Sequence, residues 1–187
     1  MRLTKVIPFI LLFIIYKKKV NRKECDDWKY KQIAITKCTD ALKRLFESSG
    51  NIGDFTLVPI PPSKIKSNPL YDDRISQILN GLIPSFCNCD VRELLFCLKD
   101  MDPSHQAEQR PNIENLYLNY GIDEKKSDNV RNKIILFDDV LTNGTHFYAA
   151  RKKLLEYFPG SEVFGCFIAR RVFPEPADEF NLEKLSF

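Results

Sequence analysis

The sequence predicts an α/β domain built on a parallel sheet covered on both faces. Segments with strand and helix character alternate along the chain. The strand segments are apolar throughout rather than at every second position, as strands buried on both sides require. The chain has 187 residues, of which 44% are hydrophobic and 28% charged, and this suits one domain with a folded core.

The first element is the least ordinary. Val6 to Tyr16 (VIPFILLFIIY) is almost purely apolar and is followed by Lys17, Lys18 and Lys19. A bilayer span takes about 20 such residues, so the run is short for one. No small-residue cleavage site follows it. It reads as a hydrophobic strand or helix laid on the core, as a start foreign to the fold, or as a weak membrane association through Val6–Lys19. Residues 1–19 are therefore set apart as an N-terminal segment and residues 20–187 as the domain.

Trp28 to Phe46 places Ile35, Cys38, Leu42, Leu45 and Phe46 at helical spacing, and Ser48-Ser49-Gly50-Asn51 ends the run. Thr56 to Ile60 (TLVPI) is a short buried strand stopped by Pro61-Pro62. A second helix is predicted over Asp72–Ile83, with Ile75, Ile78, Leu79, Leu82 and Ile83 on one face and Pro84 beyond. Val91 to Leu98 reads as the next strand. Asp100 to Asn129 has little periodicity apart from a short element around Ile113 to Tyr120, and a connection this long is usually functional or mobile. Lys133–Phe137 is a strand, Thr145–Phe158 a helix, and Val163–Ala169 the last strand after the Pro159-Gly160 turn.

A net charge of +3 permits phosphate-bearing ligands, but the basic bias is too small to predict a specific nucleic-acid partner. None of the six cysteines falls in a C-x-x-C zinc spacing, and Cys97 and Cys166 sit in apolar runs as small buried hydrophobes. With no convincing signal peptide, a reduced, cytoplasmic setting is expected.

The chemistry concentrates in IILFDDVLTNGTHF, Ile134 to Phe147. Ligands of parallel sheets bind at the carboxyl ends of strands, where Asp138 and Asp139 stand and where Pro61 to Lys64 also fall. Thr142-Asn143-Gly144-Thr145 joins that strand to a helix. Backbone N–H groups, two hydroxyls and the positive helix end would make a phosphate cradle. An ordinary helix cap by Thr145 or Asn143 accounts for the turn equally well. Two acids just ahead of such a cradle suit a sugar phosphate, with the phosphate in the loop and vicinal hydroxyls on the carboxylates. The acids are expected to be solvated at a frayed strand end. The adjacent D-D is not the D-x-D of phosphoryl-aspartate phosphatases, and no GxxxxGK[ST] loop is present.

IILFDDVLTNGT resembles the phosphoribosyl-pyrophosphate (PRPP) signature of type I phosphoribosyltransferases. LVPIPPSKIKSNPLYDDR is similar to the pyrophosphate-loop region of the ComF-like branch, which is grouped here with the amidophosphoribosyltransferase-like proteins. The likeness covers about Thr56 to Val172. It implies a Rossmann-like type I phosphoribosyltransferase fold with a small N-terminal hood, acting with Mg2+ on PRPP and an unidentified, nitrogenous acceptor. In that reading Asp138 and Asp139 hold the ribose hydroxyls and, mainly through the substrate, the metal. Thr142, Asn143, Gly144 and Thr145 take the 5′-phosphate, and Ser63 and Lys64 the pyrophosphate. The segment with His105, Gln106 and Arg110 corresponds to a mobile lid, or else is a solvated charged loop. Asn143 departs from the usual Thr, Ser or Gly, and Cys25 and Cys38 do not reproduce the zinc module of ComF-like relatives. The fold also hosts non-catalytic PRPP or nucleotide sensors of competence or defence, and that alternative stays open, as does a homodimer.

Overall fold

A computed structural model describes residues 9–11, 27–49, 52–101 and 112–170. Five parallel strands form the main sheet: β1 (Phe9–Leu11), β2 (Phe55–Pro59), β3 (Asp90–Val91), β6 (Lys133–Leu141) and β7 (Glu162–Arg170), in the order β1-β7-β6-β2-β3. Two further strands, β4 (Leu95–Cys97) and β5 (Tyr120–Ile122), pair antiparallel outside it. The helices are α1 (Asp27–Ser49), α2 (Arg74–Asn80), α3 (Ile113–Asn119) and α4 (Thr145–Tyr157). Among the described residues no helix is long and apolar enough to cross a membrane.

The unbroken apolar runs of β2 and β6 have a direct structural cause. Successive strand residues point to opposite faces, and both faces are covered. Val58, Ile134 and Leu136 face a core completed by Phe147, Ala150 and Leu154 of α4 and by Leu116 of α3. Their neighbours Leu57, Ile135 and Phe137 face a second core, built with Ile35, Leu42 and Phe46 of α1 and Ile78 and Leu79 of α2. The parallel register sets Pro59 beside Phe137 and Phe137 beside Cys166. Cys97 and Cys166 are buried as expected.

Several boundaries move. α2 is one turn shorter at its carboxyl end than the periodicity predicts. Gly81 and Pro84 break it into a 3-10 turn over Ile83–Ser85, and Ile83 is exposed rather than buried. The single strand expected over Val91–Leu98 is two. After Val91 the chain leaves the sheet, with Arg92 Nε 2.7 Å from Asp90 Oδ1 and Arg92 Nη1 donating to the Lys126 carbonyl at 3.0 Å. It then resumes as β4 against β5. Apolar content alone does not distinguish one sheet from another. The Val6–Tyr16 run contributes Phe9–Leu11, which pair with Gly165–Phe167 at the edge of the sheet, and the rest of the run lies outside the described residues.

β6 also runs four residues beyond Phe137, through both aspartates to Leu141. The acids are thus not at a frayed end, because β7 continues alongside and pairs Asp138 with Phe167 and Val140 with Ala169.

Candidate functional site at the carboxyl edge of the sheet

Strand order positions the site. β2 leads through α2 to β3 on one side, while β6 leads through α4 to β7 on the other. The connections diverge between β2 and β6, and a crevice opens at such a switch point beyond the carboxyl ends of the strands. The strands stay tied to that level, since Ile60 N donates to the Phe137 carbonyl at 2.8 Å. Beyond it lies a cleft of about 70 Å3 lined by Pro61 and Pro62 on the β2 side and by Asp138 and Asp139 on the β6 side. Tyr71, Asp72, Arg74, Ser76 and Glu93 complete its polar wall. Of the two regions, Pro61 and Pro62 thus share a cleft with Asp138 and Asp139.

Each acid folds back on the next backbone amide. Asp138 Oδ1 accepts from Asp139 N at 2.9 Å, and Asp139 Oδ1 accepts from Val140 N at 2.7 Å. The carboxylates differ in setting. Burial, reinforced by the charge of Asp139, pushes the Asp138 carboxyl up to about 8, so it keeps its proton at neutral pH. The other oxygen of Asp139, Oδ2, is 3.0 Å from Arg74 Nη2. Arg74 Nε also lies 3.3 Å from Asp72, which Lys31 approaches from α1 at 3.0 Å.

Behind the acids, the buried Tyr120 hydroxyl lies 3.0 Å from His146 Nδ1. Burial raises the tyrosine well above its ordinary value and lowers the histidine, so both are neutral near pH 7. This pair joins β5 to the first turn of α4.

The Thr142–Thr145 turn follows β6 but borders neither this cleft nor the one beside it. Gly144 is the N-cap residue of α4 with φ +77°, a left-handed conformation that suits glycine. The cap is thus neither Thr145 nor Asn143. The Asn143 side-chain oxygen instead accepts from Thr145 N at 3.2 Å and from Thr142 Oγ1 at 3.3 Å. It satisfies an amide of the helix end that any phosphate in the turn would compete for.

Lys64 lines a second cleft of about 190 Å3 with Ile65, Lys66, Phe96, Cys97 and Asp123, whereas Ser63 lines neither cleft. Pro61, Tyr71 and Glu93 border both clefts, making them contiguous. Asp100 braces this loop by accepting from Ile65 N at 2.8 Å and from the Asn68 amide, while Met101 N donates to the Ser63 carbonyl at 2.7 Å. His105 and Arg110 lie outside the described residues.

Sequence reasoning passed over Tyr71, Asp72, Arg74 and Glu93. The first three belong to PLYDDR, a charged tract immediately before an apolar-periodic helix, and its charge density was the available signal. Glu93 had none, since it reaches the cleft only because the chain leaves the sheet after Val91.

The fold and site together define an α/β protein with a carboxylate-bearing cleft at the switch point of a parallel sheet. The sequence matches no family model, and no curated protein matches it.

Proposed function

We propose that this cleft binds PRPP with Mg2+ and that the protein transfers the phosphoribosyl group to a nitrogenous acceptor, releasing pyrophosphate. The observation that carries the reading is the placement of Asp138-Asp139 at the switch point, across a cleft from the turn after β2. The likeness of IILFDDVLTNGT and LVPIPPSKIKSNPLYDDR to type I phosphoribosyltransferase motifs supplies the substrate. On this reading the fold is of that type.

The bond from ribose C1′ to the diphosphate oxygen breaks and a bond to the acceptor nitrogen forms, with positive charge building on the sugar between. A site that holds both ends of the donor lowers that barrier by positioning and electrostatics. Asp138 and Asp139 accept the ribose hydroxyls. The Thr142–Thr145 turn receives the 5′-phosphate once Asn143 releases the Thr145 amide. Lys64, next to Ser63 in the chain, meets the pyrophosphate in the adjoining cleft, and His105 and Arg110 belong to a lid.

Two neighbouring carboxylates suit Mg2+, which keeps several waters and takes one or two carboxylates plus substrate phosphates rather than an all-protein cage. Asp138 and Asp139 would hold it, mainly through the substrate, and it would neutralise charge on the leaving diphosphate.

A thermal-shift panel with PRPP, nucleoside monophosphates and free bases, with and without Mg2+, tests the reading. Saturation at a hundredfold excess over Kd adds ~2.7 kcal/mol of stability. Stabilisation by PRPP, lost in the Asp138→Asn, Asp139→Asn double variant, is expected, and an unchanged response in that variant would sink it. Pyrophosphate release with some acceptor distinguishes the transferase from a PRPP-binding regulator, which would bind without turnover.

A further inference from the structure

Arg74 is, among the described residues, the only cationic side chain lining the first cleft, which it shares with the carboxyl groups of Asp72, Glu93, Asp138 and Asp139. Those acids are not equally supplied with cations. Asp72 has Lys31 at 3.0 Å as well as Arg74, and Glu93 has Lys66 together with Lys126 at 3.6 Å. Asp139 is held by Arg74 at 3.0 Å. The side chains of this last pair are 51% and 36% exposed, so water screens the contact and breaking it costs little.

The geometry points to Arg74 as an exchangeable counter-ion. It neutralises Asp139 in the free protein, yields that carboxylate to a divalent cation, and passes its guanidinium to a phosphate of the cation-bearing ligand. Only the second transfer rests on the phosphoribosyl reading. A guanidinium is suited to both partners, because its planar fork matches carboxylate and phosphate alike. Asp72 holds the Arg74 Nε edge at 3.3 Å, which keeps the side chain at the cleft while the Nη2 end changes partner. A metal-free polyanion would meet uncompensated acids as soon as Arg74 turned to it. The exchange therefore selects a cation-chelated diphosphate over the free anion.

The test measures Mn2+ alone, by the paramagnetic resonance signal of the unbound ion, and PRPP with Mg2+ by calorimetry. Both are applied to the full chain, Arg74→Gln and Arg74→Lys. Arg74→Gln should bind Mn2+ about three- to fivefold more tightly than the parent, the ratio an exposed ion pair is worth. Arg74→Lys should return towards the parent because it restores the charge. Arg74→Gln should at the same time bind Mg2+-PRPP at least fivefold more weakly. A side chain that merely supports the fold would not tighten metal binding. Equal or weaker Mn2+ binding by Arg74→Gln, or none by either protein, overturns the assignment. Tighter Mn2+ with unchanged Mg2+-PRPP binding overturns the transfer to phosphate. Absence of PRPP binding by the parent, with the Mn2+ contrast intact, sinks the phosphoribosyl reading and leaves the counter-ion role supported.

Discussion

Asp138 makes the sharpest claims at the scale of single residues. Its carboxyl holds a proton up to about pH 8 in the folded chain, whereas an unfolded aspartate loses it near pH ~3.9. Between those values the native state binds the extra proton, so stability must fall as pH rises through that window. Asp138→Asn removes the ionisable group. It should flatten the curve and be the more stable protein at pH 8, by upwards of about 1 kcal/mol, the worth of less than one pKa unit. Urea denaturation of both proteins at pH 5 and pH 8 checks this, and parallel curves would contradict it. A ligand that needs Asp138 ionised must expel the same proton. Mg2+-PRPP affinity should therefore rise with pH, by up to about tenfold per unit below pH 8, and calorimetry in buffers of different ionisation enthalpy should detect the released proton. Gly144→Ala is a different kind of change. The substitution strains a backbone at φ +77° and sets a methyl 3.1 Å from the Tyr148 ring, costing about 1–3 kcal/mol. On the phosphoribosyl reading the same turn would receive the 5′-phosphate, so ribose 5-phosphate binding should weaken with it.

At the scale of elements, α4 has to sit closely on β7 for the turn after β6 to hold its position. Gly165 permits that approach. A Cβ there would lie 2.8 Å from the Phe167 ring and 2.9 Å from the Phe147 ring, both of which are buried. Gly165→Ala should therefore destabilise the protein by about 1–3 kcal/mol through overpacking. Thermal unfolding measures the loss, and a neutral result would mean that the rings have room to move. The two-stranded β4–β5 ribbon has another role. It carries Leu95 and Cys97 to the clefts and ends at Tyr120, under the first turn of α4. Tyr120→Phe keeps the packing but removes the hydroxyl that meets His146. Phosphate-bearing ligands should then bind less tightly with little change in stability, about 1 kcal/mol for one hydrogen bond.

At the scale of the whole molecule, the sheet is closed on the β7 side by Phe9–Leu11. Removing residues 1–19 would expose the backbone of Gly165–Phe167 as an edge, a surface prone to pairing with other chains. The truncated chain should fold, because the described residues of both cores come from later elements, but with a melting temperature several degrees lower and a greater tendency to associate. Light scattering alongside thermal unfolding checks both. An unfolded product would show that this strand is indispensable.

Much of this molecule was written in short-range pattern. The continuous apolar runs of β2 and β6 implied a sheet covered on two faces, and helix periodicity located α1 and α4 to within a few residues. IILFDDVLTNGT put two acids at the end of a buried apolar run, and both line the cleft. Tertiary contacts settled other matters. Asp138 became a protonated, half-buried group because β7 extends β6 past Phe137, and no local pattern records how far a neighbouring strand reaches. Val91–Leu98 was split between two sheets because Arg92 found partners some 35 residues away. Arg74 meets Asp139 across a cleft, joining residues far apart in the chain. Periodicity measures which face of an element is apolar, whereas pairing, proton affinity and the partner of a charge depend on what folding brings alongside.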